Sequence, residues 1–453
     1  MGSPLATLAG MRKAGAYRGM NVSIAYGRRQ LAVTLPDSFT TVISPAHRDG
    51  LPDERAALRA ALDAPIGATA LRNQLRPGAR VCVVFTDITR PTPNERLIPW
   101  VLEYLADAGV PNAAITLLNS TGTHRPNTRA ELEVMLTPEV VRDYRVINHE
   151  CEKSEDLAPF GHTKTGAPVL IHRAIAEADV RIVTGFIEPH FFAGFSGGPK
   201  GIMPGCAGLE TVMSNHGAHH ISDPGATFGR NEGNPLWEEL RDIALRVGPS
   251  FLVNVTLNEE RRITGVFAGD LVEAHRAGTE FVRATAMQPV SGLFDIVITS
   301  NSGYPLDMNL YQGVKGMSAA ARIVRPEGLI ILACECAEGV PHGSPFDTLL
   351  RSAAGPAEIL ALLTQPGFVR AEQWQAQIQA LISSRARVLL YSNLQPEAVR
   401  AAHLTPCADI AVAVEEEISR LGGSARVAVL PHGPLTIPYL TGEGGIPIPA
   451  VHR

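Results

Sequence analysis

Short apolar runs rich in Val and Ile alternate with segments of helical spacing along most of this chain, and that alternation restricts its fold more than any other feature. In the first part the runs are RVCVVF (80–85), AITLLN (114–119), YRVIN (144–148), PVLIHR (168–173) and VRIVTGF (180–186). ERAALRAALDAP (54–65), NERLIPWVLEYLADAG (94–109) and RAELEVML (129–136) have the spacing of helices, the second stopping at Gly109. Strands alternating with helices predict a largely parallel sheet covered by helices on both faces. Ahead of this series, VSIAYGRRQLAVTLP (22–36) reads as a hairpin turning at Gly27-Arg28.

A chain of 453 residues outgrows one hydrophobic core. A second series begins at LFDIVITS (293–300), followed by a helix at LYQGVKGMSAAARIV (310–324) and strands at GLIILACEC (328–336), RVLLYSN (387–393) and RVAVLPHG (426–433). The break falls around 278–292. The expected organisation is two α/β domains with mainly parallel sheets, 1–280 and 293–425, and a cleft between them that holds the active site. Residues 426–453 are expected to form a C-terminal strand and tail returning to the interdomain region. Cys334 and Cys336 alternate as on a buried strand and are expected to point the same way.

Three runs of the first domain lead into loops crowded with polar residues. RVCVVF enters TDITRPTPN, with Asp87, Thr89 and Arg90; AITLLN enters STGTHRPN, with His124 and Arg125; VRIVTGF enters IEPHFFAGFSGGPKG, with His190 and Lys200. Ligands of open α/β sheets bind beyond the carboxyl ends of strands, where the order of connections reverses. Arg90, His124, His190 and Lys200 are therefore expected to share a pocket. Taken singly each has a plainer reading. Arg90 could hold a turn through Asp87, His124 could cap a helix starting near Asn127, and His190 could be a packed core histidine.

Lys200 sits among glycines in GFSGGPKGIMPG (194–205), either a surface turn with a solvated lysine or a loop that lets a ligand approach closely. A phosphate-binding P-loop is excluded, because Pro199 precedes the lysine and Gly201 follows it where a hydroxyl is needed. SNHGAHHISDP (214–224) carries His216, His219 and His220, enough for one metal ligand but without zincin spacing or a partner carboxylate. In LYQGVKGM, Gln312 and Lys315 share a helix face, which suits a carboxylate and its neighbouring oxygen as well as it suits a solvated helix start. Tyr311 lies beside them, and Trp374 is either a pocket wall or core. No G-x-G-x-x-G opens a helix after any of the runs, and no G-x-S-x-G is present, so a conventional NAD site and the usual hydrolase elbow are unsupported.

A formal net charge of −5 gives no footprint for nucleic acid or an anionic membrane. The six cysteines form no CxxC pair, the first fifteen residues lack the apolar region of a signal peptide, and no uncharged run spans a bilayer. A cytoplasmic protein is the expectation.

DITRP, STGTHRP, EPHFFAGFSGGPKGIMPG, SNHGAHH and YQGVKGM, in this order, resemble the nickel-dependent lactate racemase family, and the resemblance runs from Val22 to PHGPLTIPYL (431–440). It implies a nickel-pincer nucleotide, pyridinium-3-thioamide-5-thiocarboxylic acid mononucleotide, whose two sulfur arms and one ring carbon bind Ni. Lys200 matches the lysine thioamide-linked to one arm, with the glycines admitting the nucleotide and Pro199 and Pro204 stiffening the loop. His216 matches the protein ligand to nickel. Asp87, Thr89, Arg90, Gly198, Pro199 and Gln312 match cofactor contacts, and Arg90, Lys315, Tyr311 and Trp374 the substrate side. His124 and His190 match the acid–base pair of a racemase or epimerase that inverts C2 of a 2-hydroxy acid by reversible hydride transfer.

Similar proteins use lactate, malate, 2-hydroxyglutarate, aromatic hydroxy acids and sugar acids, and Tyr304 and Met308 are candidate specificity residues. Cofactor biosynthesis proteins are the implied loading partners. A non-catalytic protein that binds or carries the cofactor is the competing class, and the intact histidine pair weighs against it.

Overall fold

The computed structural model describes residues 18–365 and 367–441. The signal-peptide reading of the first fifteen residues, and the tail from 442 onward, lie outside them. No helix among the described residues is long and apolar enough to cross a membrane.

The chain opens on an antiparallel hairpin, β1 (Gly19–Tyr26) and β2 (Arg29–Pro36), with Gly27 at φ +54° in the turn, followed by β3 (Thr40–Val42). The helix Glu54–Asp63 is capped by Asp53, whose side chain accepts from the Ala56 N–H. It leads into β4 (Val81–Thr86), β5 (Ile115–Ser120) and β6 (Arg145–Asn148). A small antiparallel pair, β7 (Leu157–His162) and β8 (Pro168–His172), stands apart from the main sheet, and β9 (Val180–Phe186) returns to it. Next come a two-residue pair, β10 (Pro189–His190) and β11 (Gly194–Phe195), and then β12 (Phe251–Leu257) and β13 (Ile263–Asp270).

The first six-stranded sheet has the order β13-β12-β9-β4-β5-β6, parallel throughout except for the edge strand β13. From β4 the chain moves outward through β5 to β6, then jumps back across β4 to β9 and continues the other way. The reversal falls between β4 and β9, which opens a crevice at their carboxyl ends. β4 is apolar on both faces because helices cover both; Val83 and Phe85 join one core, Cys82 and Val84 another.

The helix Glu273–Ala286 ends at β14 (Met287–Val290), and the second series follows as β15 (Phe294–Ser300), β16 (Val324–Ala333), β17 (Arg387–Tyr391), β18 (Thr405–Pro406), β19 (Val427–Leu430) and β20 (Ile437–Leu440). Its six-stranded sheet runs β18-β17-β16-β15-β19-β3, all parallel.

Several expectations need adjustment. The stretch 278–292 is no simple linker: its first residues complete a helix, and β14 pairs with β20. The hairpin, assigned to a first domain of 1–280, packs Val22, Ile24, Val33 and Leu35 against Ile296, Ile298 and Val429 of the second sheet, and β3 joins that sheet's edge. Pairing across some 390 residues of sequence leaves no local mark. PVLIHR is a strand, but it pairs with β7 rather than extending the main sheet. Cys334 and Cys336 lie just past β16, where Cys336 turns to φ +53°; both are buried with their sulfurs 3.4 Å apart.

Candidate active site

The loops after β4, β5 and β9 converge over the crevice, and the second domain closes it with the helices Leu310–Ala321 and Gln373–Ser383. Together they border a cleft of about 960 Å³, its open mouth included, lined by Arg90, His124, His190, Lys200, His216 and Lys315, with Gly198, Tyr311, Gln312 and Trp374. Four of these side chains come from three separate strand ends. Because β4 lies between β5 and β9, the Arg90 loop lies between the two histidine loops. Two strand spacings, about 10 Å, separate the strands that carry them. Asp87, Thr89 and Pro199 stand behind the lining rather than in it.

His124 leans on a carboxylate. Its Nδ1 is 2.5 Å from Asp87 Oδ2, while Asp87 Oδ1 accepts from the Thr89 hydroxyl at 2.7 Å and faces the Arg90 guanidinium at 4.0 Å. Burial would raise the Asp87 pKa, but the charge and hydrogen bond of His124, then Arg90 and Thr89, outweigh it and hold the carboxyl down to about 2. An ionised partner on Nδ1 places the proton there and leaves Nε2 as the free, basic nitrogen. The Tyr311 ring meets His124 edge-on at 6.2 Å, and Trp374 Nε1 donates to the Tyr311 hydroxyl at 3.0 Å.

His190 has no carboxylate on its ring. Its Nδ1 accepts from the Ala193 N–H at 3.2 Å, so the neutral ring carries its proton on Nε2. It is packed between Phe191 and Phe192. Burial first, then the positive charges of Lys200, Lys315 and Arg90 with His216 beside them, hold its pKa well below the ordinary imidazole range.

Lys200 lies in a single 3₁₀ turn, Gly198–Gly201, at the floor. Its amine reaches the cavity but is otherwise wrapped in protein, 5.7 Å from the Phe192 ring centre, and burial with the nearby Arg90 pushes its pKa down to about 7. A lysine in this state offers a neutral, nucleophilic amine near neutral pH. The surrounding glycines have a packing reason of their own. Gly198 sits at φ +56°, and a Cβ there would come within 2.4 Å of the His275 ring; one on Gly197, at φ +75°, would strike Asn254 Oδ1. Asn254 also accepts from the Gly198 N–H at 2.7 Å.

His216 follows the helix Leu209–Asn215 and is buried between the rings of Phe192 and Trp374. Burial, then Lys200 and His220, keep it neutral, and its Nδ1 has no hydrogen-bond partner. His219 and His220 are not part of the cavity; His220 Nδ1 bonds the Asn215 carbonyl at 2.9 Å. Arg125 points elsewhere, into a forked pair with Glu131. Lys315 is 7 % exposed with Nζ unbonded, and burial, with Arg90 adding to it, pushes its pKa down to about 7.

The chain matches the lactate racemase N-terminal domain over residues 26–229 and the lactate racemase C-terminal domain over 291–437. It is 32% identical to the lactate racemase of Thermoanaerobacterium thermosaccharolyticum over 421 residues, covering 91% of this chain and 98% of that one. It is 35% identical to the lactate racemase of Lactiplantibacillus plantarum over 384 residues, 84% of this chain and 90% of the relative. The chain belongs to the lactate racemase family. It is accordingly an isomerase of the racemase class. The apoprotein structure of the T. thermosaccharolyticum lactate racemase superposes with a TM-score of 0.85, covering 92% of this chain and 100% of that one. A Thermotoga maritima protein at 19% identity shares the fold, with a TM-score of 0.69 over 87% of this chain and 100% of that one.

The family resemblance implies a metal-bearing nucleotide, and the donor set fits one. His216 is a neutral imidazole with an unpartnered nitrogen, as a nickel or copper ligand must be. Lys200 is a nucleophilic amine on the same cavity, and Gln312 adds a buried, unpartnered Oε1. Among the described residues the cavity gathers no cluster of three protein ligands, so further donors would have to come from the bound group.

Reading the sequence missed Glu188, Asn254 and Gln375, whose amide donates to the Tyr311 carbonyl. Glu188 had a visible signal: it is the one acid inside the buried run FIEPHFF. The role of Asn254 depends on β12, a strand whose contact with the glycine loop is non-local.

Proposed function

We propose that the chain inverts the C2 centre of a small 2-hydroxy acid, lactate or a relative of it, by hydride transfer with a nickel-pincer nucleotide. The observation that carries this reading is a pair of imidazoles with opposite free nitrogens, lining one cavity on either side of the loop that supplies Arg90. His216 would hold the nucleotide through nickel and Lys200 through a covalent thioamide, with Gly198 and Gln312 beside it. When bound, that group supplies a carbon that accepts the C2 hydrogen as hydride and returns it.

The rest of the chemistry belongs to the chain. Removing the C2 hydrogen as a proton would build negative charge next to a carboxylate; removing it as hydride leaves a neutral ketone, provided the hydroxyl proton goes to a base. His124 Nε2 takes that proton from one enantiomer, and Asp87 stabilises the resulting imidazolium through Nδ1–H. Arg90 and Lys315 hold the carboxylate by charge-assisted hydrogen bonds while the planar keto acid turns. His190 serves the other face. To return a proton to the keto oxygen it must first be imidazolium, taking a second proton on Nδ1 and giving up the Ala193 contact; it then releases the Nε2 proton and is left neutral, with Nε2 free to act as base in the reverse direction. Tyr311 and Trp374 wall off solvent from the reacting centre.

The test is polarimetric. Protein loaded with the cofactor is given each single enantiomer of lactate, malate, 2-hydroxyglutarate and an aromatic hydroxy acid. Decay of rotation to zero with one of them is the expected result. Constant rotation with all of them would overturn the reading and favour a cofactor carrier.

A further inference from the structure

β12 carries one polar side chain within its buried run FLVNV (251–255), that of Asn254. The residue is fully buried in the first sheet, where it pairs with Gly185 of β9. A Cβ on Gly185 would stand 3.3 Å from Asn254 Nδ2. The missing side chain thus leaves room for the amide to lie over β9 and reach the glycine loop.

There Asn254 Oδ1 accepts from the Gly198 N–H at 2.7 Å, while Nδ2 donates to the Val253 carbonyl at 3.1 Å. From the other side His275, on the helix Glu273–Ala286, donates through Nε2 to the Ser196 carbonyl at 2.8 Å, and its ring fills the space a Gly198 side chain would need. Residues 196–198 are therefore held at one carbonyl and one N–H. The Lys200 N–H in turn donates to the Gly197 carbonyl at 3.1 Å, which carries the hold into the lysine's own turn. Gly185, Gly197, Gly198 and Lys200 line the cavity, whereas Asn254 and His275 stand behind it.

We infer that Asn254 is a positioning residue, tying down the Gly197–Gly198 turn and so setting how deeply the Lys200 amine is enclosed at the floor of the cavity. That the amine joins a nucleotide rests on the proposed function; its placement does not. With an apolar side chain at 254 the buried Gly198 N–H loses its acceptor, a cost the loop relieves by opening to water. Asn254 is uncharged and acts on the lysine through placement alone. Arg90 faces Lys200 from the β4 loop, and His190, His216, His275 and Lys315 feel its charge in turn. An apolar substitution at Asn254 leaves all five in the chain.

Competitive labelling of the cofactor-free protein with trace acetic anhydride reads the titration of each lysine from its own peptide. In the unaltered protein Lys200 should titrate near 7, held there by burial and then by Arg90. Asn254→Leu should move that midpoint up by about one pH unit or more and cut labelling at pH 7 about fivefold or more, because the amine gains water. The plateau at high pH should remain, and the exposed Lys153 and Lys164 should not change. Hydrogen exchange across 194–205 should quicken in Asn254→Leu and stay slow in Asn254→Asp, which keeps the acceptor.

A Lys200 midpoint that stays near 7 in Asn254→Leu, or loop exchange that quickens equally in the Leu and Asp variants, would overturn the inference. If the Leu variant does not fold, Asn254→Ser, whose hydroxyl is too short to reach Gly198, carries the same test with the same two outcomes. Because the labelling needs neither cofactor nor substrate, protein that racemises nothing but shows the Lys200 shift would sink the proposed reaction and leave Asn254 its role.

Discussion

His124 and His190 line the same cavity but stand in opposite surroundings. The His124 side chain keeps 17% of its exposure and rests on an ionised carboxylate, so a proton arriving at Nε2 is stabilised from behind. His190 is buried among aromatic rings, meets only a backbone N–H, and faces cations. The first ring thus has a carboxylate behind it, whereas burial and neighbouring cations disfavour the charged form of the second. Enantiomers of one acid have equal free energy, so kcat/KM must match in the two directions. The difference between the walls can therefore appear only in how each direction divides its rate between kcat and KM.

The largest expected effect comes from deleting either ring. His124→Ala and His190→Ala should each lower racemisation about 10²- to 10⁴-fold from both enantiomers, measured by chiral chromatography, because every full turnover needs one group on each face. Near-normal turnover in either variant would remove that histidine from the pair.

Next is Asp87→Asn. It should lower kcat about 10²-fold with a smaller change in KM, since the amide no longer fixes the Nδ1–H tautomer of His124. No comparable change exists for the His190 wall. An equal loss on removing any one neighbouring carboxylate would erase the distinction between the walls.

The carboxylate clamp of Arg90 and Lys315 should titrate. Lys315 is charged below about 7 and neutral above it, so anion affinity is full on the acid side and falls as pH rises through that value. KM should rise about tenfold between pH 6 and 9, and Lys315→Arg, which cannot discharge there, should flatten the profile.

The smallest effect is on stability. Burial holds His275 and His149 down to about 4, below the ordinary 6.5. The unfolded chain takes up these protons first, so each contribution is complete above 6.5 and is lost as pH falls towards 4. The loss is on the order of 3 kcal/mol for His275. Thermal melts should show Tm dropping across this window, and His275→Phe should shrink the drop.

The sheet and its loaded strand ends were legible because their signals are local. β4, β5 and β9 are mostly apolar, and Asp87, Arg90, His124, His190 and Lys200 all lie within a few residues of a strand end or along one glycine loop. What was not legible depends on partners far along the chain. Nothing in VSIAYGRRQLAVTLP tells which sheet the hairpin will cover. The glycines around Lys200 suggested room for a ligand, whereas His275 and Asn254, dozens of residues later, are what a side chain there would strike. Glu188 was passed over because its two neighbours in sequence, Pro189 and His190, carried the stronger motif.

The central claim is that the two imidazoles address opposite faces of one substrate, and a single-turnover quench tests it most directly. Cofactor-loaded His124→Ala and His190→Ala are each mixed with pure D- and pure L-hydroxy acid, quenched in acid, and assayed for the keto acid. The account predicts mirror-image results, with each variant oxidising only one enantiomer and the two variants differing in which. Loss of the same enantiomer by both variants, or oxidation of both enantiomers by either, would contradict it.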